Sequence, residues 1–135
     1  MKNSILFIVT YVFCLVLDLI WLRVIAKNLY INDLWSLLRK QGSEISSNVP
    51  SALLVYAIMT FGILYFVLPG TRNNYIQVLI NGAIFGVVTY GIYNFTNYAL
   101  LANWPLKISL IDLSWGIVLC ALTSCFALSI RKLLS

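Results

Sequence analysis

The chain has 135 residues, 61% of them hydrophobic and only 10% charged, with a mean hydropathy of +0.94. A soluble domain of this length carries about 25% charged residues, so the composition excludes an ordinary soluble globule and, with several long apolar runs, points to an integral membrane protein. The net charge of +5 gathers where apolar segments end and basic residues meet lipid head groups, which argues against nucleic-acid binding, and the absence of histidine removes the commonest acid–base residue and metal ligand.

The first apolar segment runs from about residue 4 to residue 22. Lys2 precedes it, as in a signal peptide. The run is longer than a typical signal core, however, it contains Asp18, and no small-x-small cleavage site follows. It is read as a retained membrane helix. Ser4, Phe7, Tyr11, Cys14 and Asp18 recur at three- and four-residue spacing and are expected on one face. Trp21, Arg23 and Lys27 mark its far end as interfacial anchors.

From about residue 29 to residue 40 the chain reads LYINDLWSLLRK. Tyr30, Leu34, Leu37 and Leu38 make an apolar face, and twelve residues cannot span a bilayer, so a short amphipathic helix in the interface is expected. A polar linker follows, ending at Pro50, which is well placed to begin a helix because its missing N–H has no intrahelical partner there. The second span, about residues 51–68, has few polar groups and reads as scaffold; Pro69-Gly70 ends it.

The third span covers about residues 75–98. At 100° per residue, Gly82, Gly86, Thr89, Tyr90, Tyr93, Asn94, Thr96 and Asn97 gather on one side, opposite an expected lipid face of Ile80, Ile84, Phe85, Val87, Val88, Ile92 and Phe95. The first face opens with a Gly-x-x-x-Gly that allows close helix approach, then grows more polar toward its C-terminal end. Trp104-Pro105-Leu106-Lys107 leads into the fourth span, about residues 106–130. There Ser109, Asp112, Gly116, Cys120, Thr123 and Ala127 form a small or polar packing stripe.

These elements predict an all-α, polytopic membrane protein: one domain of four transmembrane helices in a bundle, with a short interfacial helix in the first loop. Four spans return both termini to one side. Asp18 lies roughly 6 Å before the end of the first span and Asp112 roughly 9 Å after the start of the fourth. The two helices run in opposite directions, so both aspartates fall in the same half of the bilayer. Tyr90, Tyr93, Asn94 and Asn97 end the third span in that half, with Lys107 just above. Each aspartate also opens the same local pattern, Asp18-Leu19-Ile20-Trp21 and Asp112-Leu113-Ser114-Trp115.

Intramembrane carboxylates mark functional sites by default. Asp18, Tyr90, Tyr93, Asn94, Asn97, Lys107 and Asp112 are therefore the candidate polar cluster, and Gly82, Gly86 and Gly116 the candidate packing positions. Three readings are open. The cluster can line a binding or transport cavity for a small molecule, ion or lipid, which is compatible with a homo-oligomer. It can serve a small membrane enzyme acting on a lipid or isoprenoid with an aspartate pair. Or it can lock helices together, the aspartates pairing with Lys107 or Arg23 or accepting hydrogen bonds. Cys14, Cys120 and Cys125 lie inside apolar segments without CxxC spacing, so they read as small buried hydrophobes and no metal site is expected. No residue pattern names a cofactor, and membrane lipids are the expected partners. The positive charges split four against five between the two sides, and the termini are expected to be cytoplasmic because both adjoin spans directly.

The LDLIWL of the first span, the TYGIYNFTNYA and NWPLKISLIDLSWG of the last two, and the overall length resemble the DUF2177 family of bacterial inner-membrane proteins. The likeness covers nearly the whole chain. It rests on Tyr93-x-x-Thr96-Asn97, Trp104-Pro105-x-Lys107 and Asp112-x-x-Trp115-Gly116. Asn94 stands where a Tyr-Asp-x-Thr-Asn context would carry an aspartate, which removes a third carboxylate. The resemblance implies four helices in a bacterial inner membrane and does not specify a chemistry.

Overall fold

A computed structural model describes residues 1–135. The first helix, α1 (Lys2–Ile20), buries Leu6, Thr10, Cys14 and Asp18. This is a row at four-residue spacing, the ridge along which two helices mesh. Ser4 is exposed, and Phe7 and Tyr11 are half-buried, so the packing face is turned slightly from the one their spacing suggests. At its end α1 widens into a π-helical turn, Trp21–Ile25, in which the Ala26 N–H bonds the Trp21 carbonyl at 2.8 Å.

Helix α2 (Lys27–Leu34) starts earlier and stops sooner than the expected 29–40 helix. Leu37 and Leu38 both donate to the Leu34 carbonyl, which closes the helix into a turn. Beyond it, β1 (Lys40–Gln41) and β2 (Glu44–Ile45) form a small antiparallel hairpin around Gly42, whose φ of +66° favours glycine. Leu34 packs with Trp104 and Ile108, flanked by Leu29, Tyr30 and Leu38. The first loop is thus docked on the turn between the last two spans.

Asn48 caps α3 (Val49–Gly62), accepting the Ser51 N–H at 3.1 Å, with Pro50 in the first turn. This helix also relaxes into a π turn, Ile63–Val67. After a turn through Gly70, Arg72 and Asn73, all at positive φ, Asn74 caps α4 (Tyr75–Leu100) by accepting the Ile76 and Gln77 N–H groups. The last helix is α5 (Leu106–Leu134). Four helical stretches are long and apolar enough to cross a membrane: Lys2–Ile25, Val49–Val67, Tyr75–Leu100 and Leu106–Leu134. The protein is an all-α polytopic membrane protein.

Helices α4 and α5 form the tightest pair. A Cβ on Gly86 would lie 2.5 Å from the Gly116 carbonyl oxygen, and one on Gly82 would lie 2.7 Å from Ser124 Oγ. A Cβ on Gly116 would enter the Tyr90 ring. Ile80, Ile84, Val87, Val88, Ile92 and Phe95 face outward as expected, but Phe85 is half-buried, its ring packed over Gly62 of α3, where the missing side chain leaves room for it. Lys2 Nζ reaches the Ser135 carbonyl at 3.4 Å, so the two termini meet. The α1–α3 loop and the α4–α5 turn therefore lie together at the opposite end of the bundle.

Candidate functional site

Two buried carboxylates organise that opposite end. Asp18, on the packing ridge of α1, is 7% exposed; Asp112, on the small-residue stripe of α5, is 9% exposed. Asp18 Oδ1 accepts the Trp115 indole N–H at 2.7 Å and Oδ2 accepts the Tyr56 hydroxyl at 2.7 Å. Asp112 Oδ1 accepts the Tyr30 hydroxyl at 2.6 Å and Oδ2 accepts the Asn94 amide at 2.6 Å. Between them the two side chains gather donors from α2, α3, α4 and α5.

The supports of this arrangement are local. Asn94 is fully buried, and its amide also donates to the Tyr90 carbonyl one turn back at 3.0 Å. Trp104 donates to Ser109 Oγ at 3.0 Å, and that hydroxyl donates to the Asn94 carbonyl at 3.2 Å, tying the end of α4 to the start of α5. Trp115 lies flat on Trp21, ring centroids 4.5 Å apart and planes 6° from parallel, which holds its N–H toward Asp18. Tyr90 covers Gly116, one turn along α5 from Asp112.

The other candidate residues sit elsewhere. Tyr93 is 55% exposed, edge-on to Trp104, and bonds neither carboxylate. Asn97 is half-buried and bonds neither carboxylate. Lys107 pairs with Asp33 at 3.0 Å in the docked first loop rather than with Asp18 or Asp112. Arg23 is exposed. Reading the second span as scaffold alone also needs correction, because α3 supplies Tyr56 to Asp18. In the sequence, Tyr30 looks like an interfacial residue and Tyr56 like one aromatic among many. Only the docking of their helices gives them a carboxylate.

Neither carboxylate, then, has a Lys or Arg partner. Each is held by neutral donors alone. Burying an ionised carboxylate costs several kcal/mol, and a hydrogen bond to a charged group returns about 1.5–3 kcal/mol. The donors differ in kind. Indole N–H and amide NH₂ can only donate, so Asp18 Oδ1 and Asp112 Oδ2 are fixed as acceptors. A phenol can donate or accept, so Asp18 Oδ2 and Asp112 Oδ1 are where a proton can be held with no heavy atom moving. Burial, and then the Asp112 charge, push the Tyr30 phenol above its ordinary range, so it keeps its proton. Beside Asp112, Asn94 Oδ1 is buried with no donor. A groove of about 380 Å³ runs along the outside of the site, lined by Trp21, Leu110, Ile111, Ser114, Trp115 and Val118.

A family model described as a predicted membrane protein, DUF2177, matches residues 3–129. The chain belongs to the DUF2177 family. The match takes in both aspartates and all of their hydrogen-bond donors, so the whole cluster lies within the DUF2177 region. No curated protein and no solved structure gives a significant match to the chain.

Proposed function

We propose that this membrane protein binds a cation, a proton included, at the Asp18–Asp112 pair and works as a binding or transport-type protein of the bacterial inner membrane. The observation that carries the reading is the charge imbalance of the site. Two buried carboxylates lie at one end of the bundle with only neutral partners, while Lys107 is committed to Asp33. Interacting carboxylates in a desolvated site bind positive charge as a pair rather than as separate groups. The unpaired Asn94 Oδ1 adds an acceptor beside them. The Trp21-lined groove, almost wholly apolar, is where a lipid chain would lie.

A second reading has a specific observation behind it. Every carboxylate oxygen already accepts a donor from another helix, an arrangement that suits a helix clamp. A flux assay separates the two. The protein is placed in lipid vesicles holding a pH-sensitive dye, and a sodium gradient is imposed. The cation reading expects dye-reported proton movement that Asp112→Asn abolishes while the purified variant keeps its fold. An Asp112→Asn variant that cannot be recovered folded, beside a wild type that moves no protons, supports the clamp instead.

A further inference from the structure

One turn deeper in the bundle, three sulfur atoms from three helices meet. Cys14 lies four residues before Asp18 on α1, Met59 lies on α3, and Cys120 lies eight residues after Asp112 on α5. Cys14 Sγ stands 3.8 Å from Met59 Sδ, and Cys120 Sγ stands 4.0 Å from the same atom. Both cysteines are fully buried and neither forms a disulfide. The third cysteine, Cys125, is apart, half-buried against the Tyr75 carbonyl.

We infer that Cys14, Met59 and Cys120 form a three-sulfur site for a soft monovalent metal ion, Cu(I). The spacing fits. With metal–sulfur bonds of about 2.3 Å, three ligands at the corners of a triangle around one ion stand about 4 Å apart. The ligand type fits as well, because thiolate and thioether sulfur select Cu(I). Zinc wants a fourth nitrogen or sulfur ligand, and the chain has no histidine to supply one. A second feature sets this spot apart from plain packing. Thr10 and Thr60 are fully buried on the helices that carry Cys14 and Met59, their hydroxyls without a hydrogen-bond partner, and the buried Thr123 hydroxyl faces the Cys14 thiol. Thr10 is one turn from Cys14, and Thr60 adjoins Met59. A hydroxyl without a strong acceptor in an apolar core is costly, and a metal-bound Cys14 thiolate would be a stronger acceptor for Thr123 than the thiol. Binding is ligand exchange without electron transfer. Two thiol protons leave to the medium, two copper–thiolate bonds and one copper–thioether bond form, and the copper stays monovalent.

The site is independent of the carboxylate pair and is tested without it. The full chain in lipid nanodiscs, kept reduced and anaerobic, is titrated with Cu(I) alone against the chromophoric chelator bicinchoninate. One Cu(I) per chain should leave the chelator, and X-ray absorption should show sulfur scatterers only, at about 2.3 Å. Cys14→Ser and Cys120→Ser should each weaken binding on the order of 100-fold or more, since even outer-shell changes cost about 10–100-fold. Cys125→Ser should bind as wild type. Met59→Leu keeps the side-chain volume and the fold, and should leave two sulfur scatterers in place of three. No uptake from the chelator overturns the inference, as does a nitrogen or oxygen shell, a dependence on Cys125, or a Met59→Leu protein with an unchanged shell and affinity.

Discussion

Tyr30 and Asp112 stand 82 positions apart in the chain and meet at 2.6 Å, a loop-borne phenol donating to an intramembrane carboxylate. This contact fastens the first extramembrane loop to the last span. Tyr30→Phe removes the hydroxyl and little volume. It should lower stability by about 1–2 kcal/mol and raise amide exchange across α2 while α5 stays protected. The phenol is held above its ordinary range in the folded protein. It therefore contributes stability that is fully present below the unfolded tyrosine value, about 10, and is lost as the pH rises toward the folded value. Thermal melts in detergent at increasing alkaline pH should fall more steeply for wild type than for Tyr30→Phe. Parallel curves would show that the contact contributes nothing.

The spans were legible because lipid demands long apolar runs, and here turn residues or polar loops separate them. The two aspartates stood out for the same reason, as charges where charge is costly. Their partners were not legible. An aromatic in an apolar helix carries no mark of which way it faces until the helices are packed, so Tyr56 read as scaffold and Tyr30 as an interface residue. Proximity in depth also placed Lys107 near the carboxylates, although Asp33 in the first loop takes it. The end of α2 was hidden too, since the pattern from Trp35 to Lys40 continues a helical period while the backbone turns into the Gly42 hairpin.

The α4–α5 seam makes a sharp test of packing. Gly86 has the Gly116 carbonyl where a Cβ would sit, and a larger side chain must push the helices apart. Gly86→Leu should cost about 3 kcal/mol or more, beyond the usual overpacking range of 1–3 kcal/mol, because the obstacle is backbone. A melting temperature equal to wild type would show that the helices separate freely there.

The Lys107–Asp33 pair should matter little. Lys107 is 61% exposed, and such pairs contribute about 0–1 kcal/mol. Lys107→Met should leave the melting temperature nearly unchanged and remove any salt dependence this pair supplies. A large loss of stability would mean that the lysine serves the buried carboxylates after all.

The meeting of Lys2 with Ser135 puts both termini at one end of the bundle, and the sequence leads one to expect that end in the cytoplasm. A C-terminal alkaline phosphatase fusion should be inactive and a C-terminal green fluorescent protein fusion bright in a bacterial host. The reverse pattern would turn the carboxylate site toward the cytoplasm.

If Asp18 and Asp112 take up positive charge together, as proposed, the protein carries its own reporter for it. Trp115 donates to Asp18 while stacked on Trp21, so a change of charge at the pair alters indole emission. The measurement is the tryptophan emission of the protein in lipid nanodiscs as pH is stepped from acid to alkaline, with and without sodium. Wild type should show a pH-dependent change in emission that is lost in both Asp18→Asn and Asp112→Asn, each variant still folded. Loss in both single variants is the signature of one coupled site. A wild-type curve that survives unchanged in either variant, or a featureless wild-type curve, would contradict it.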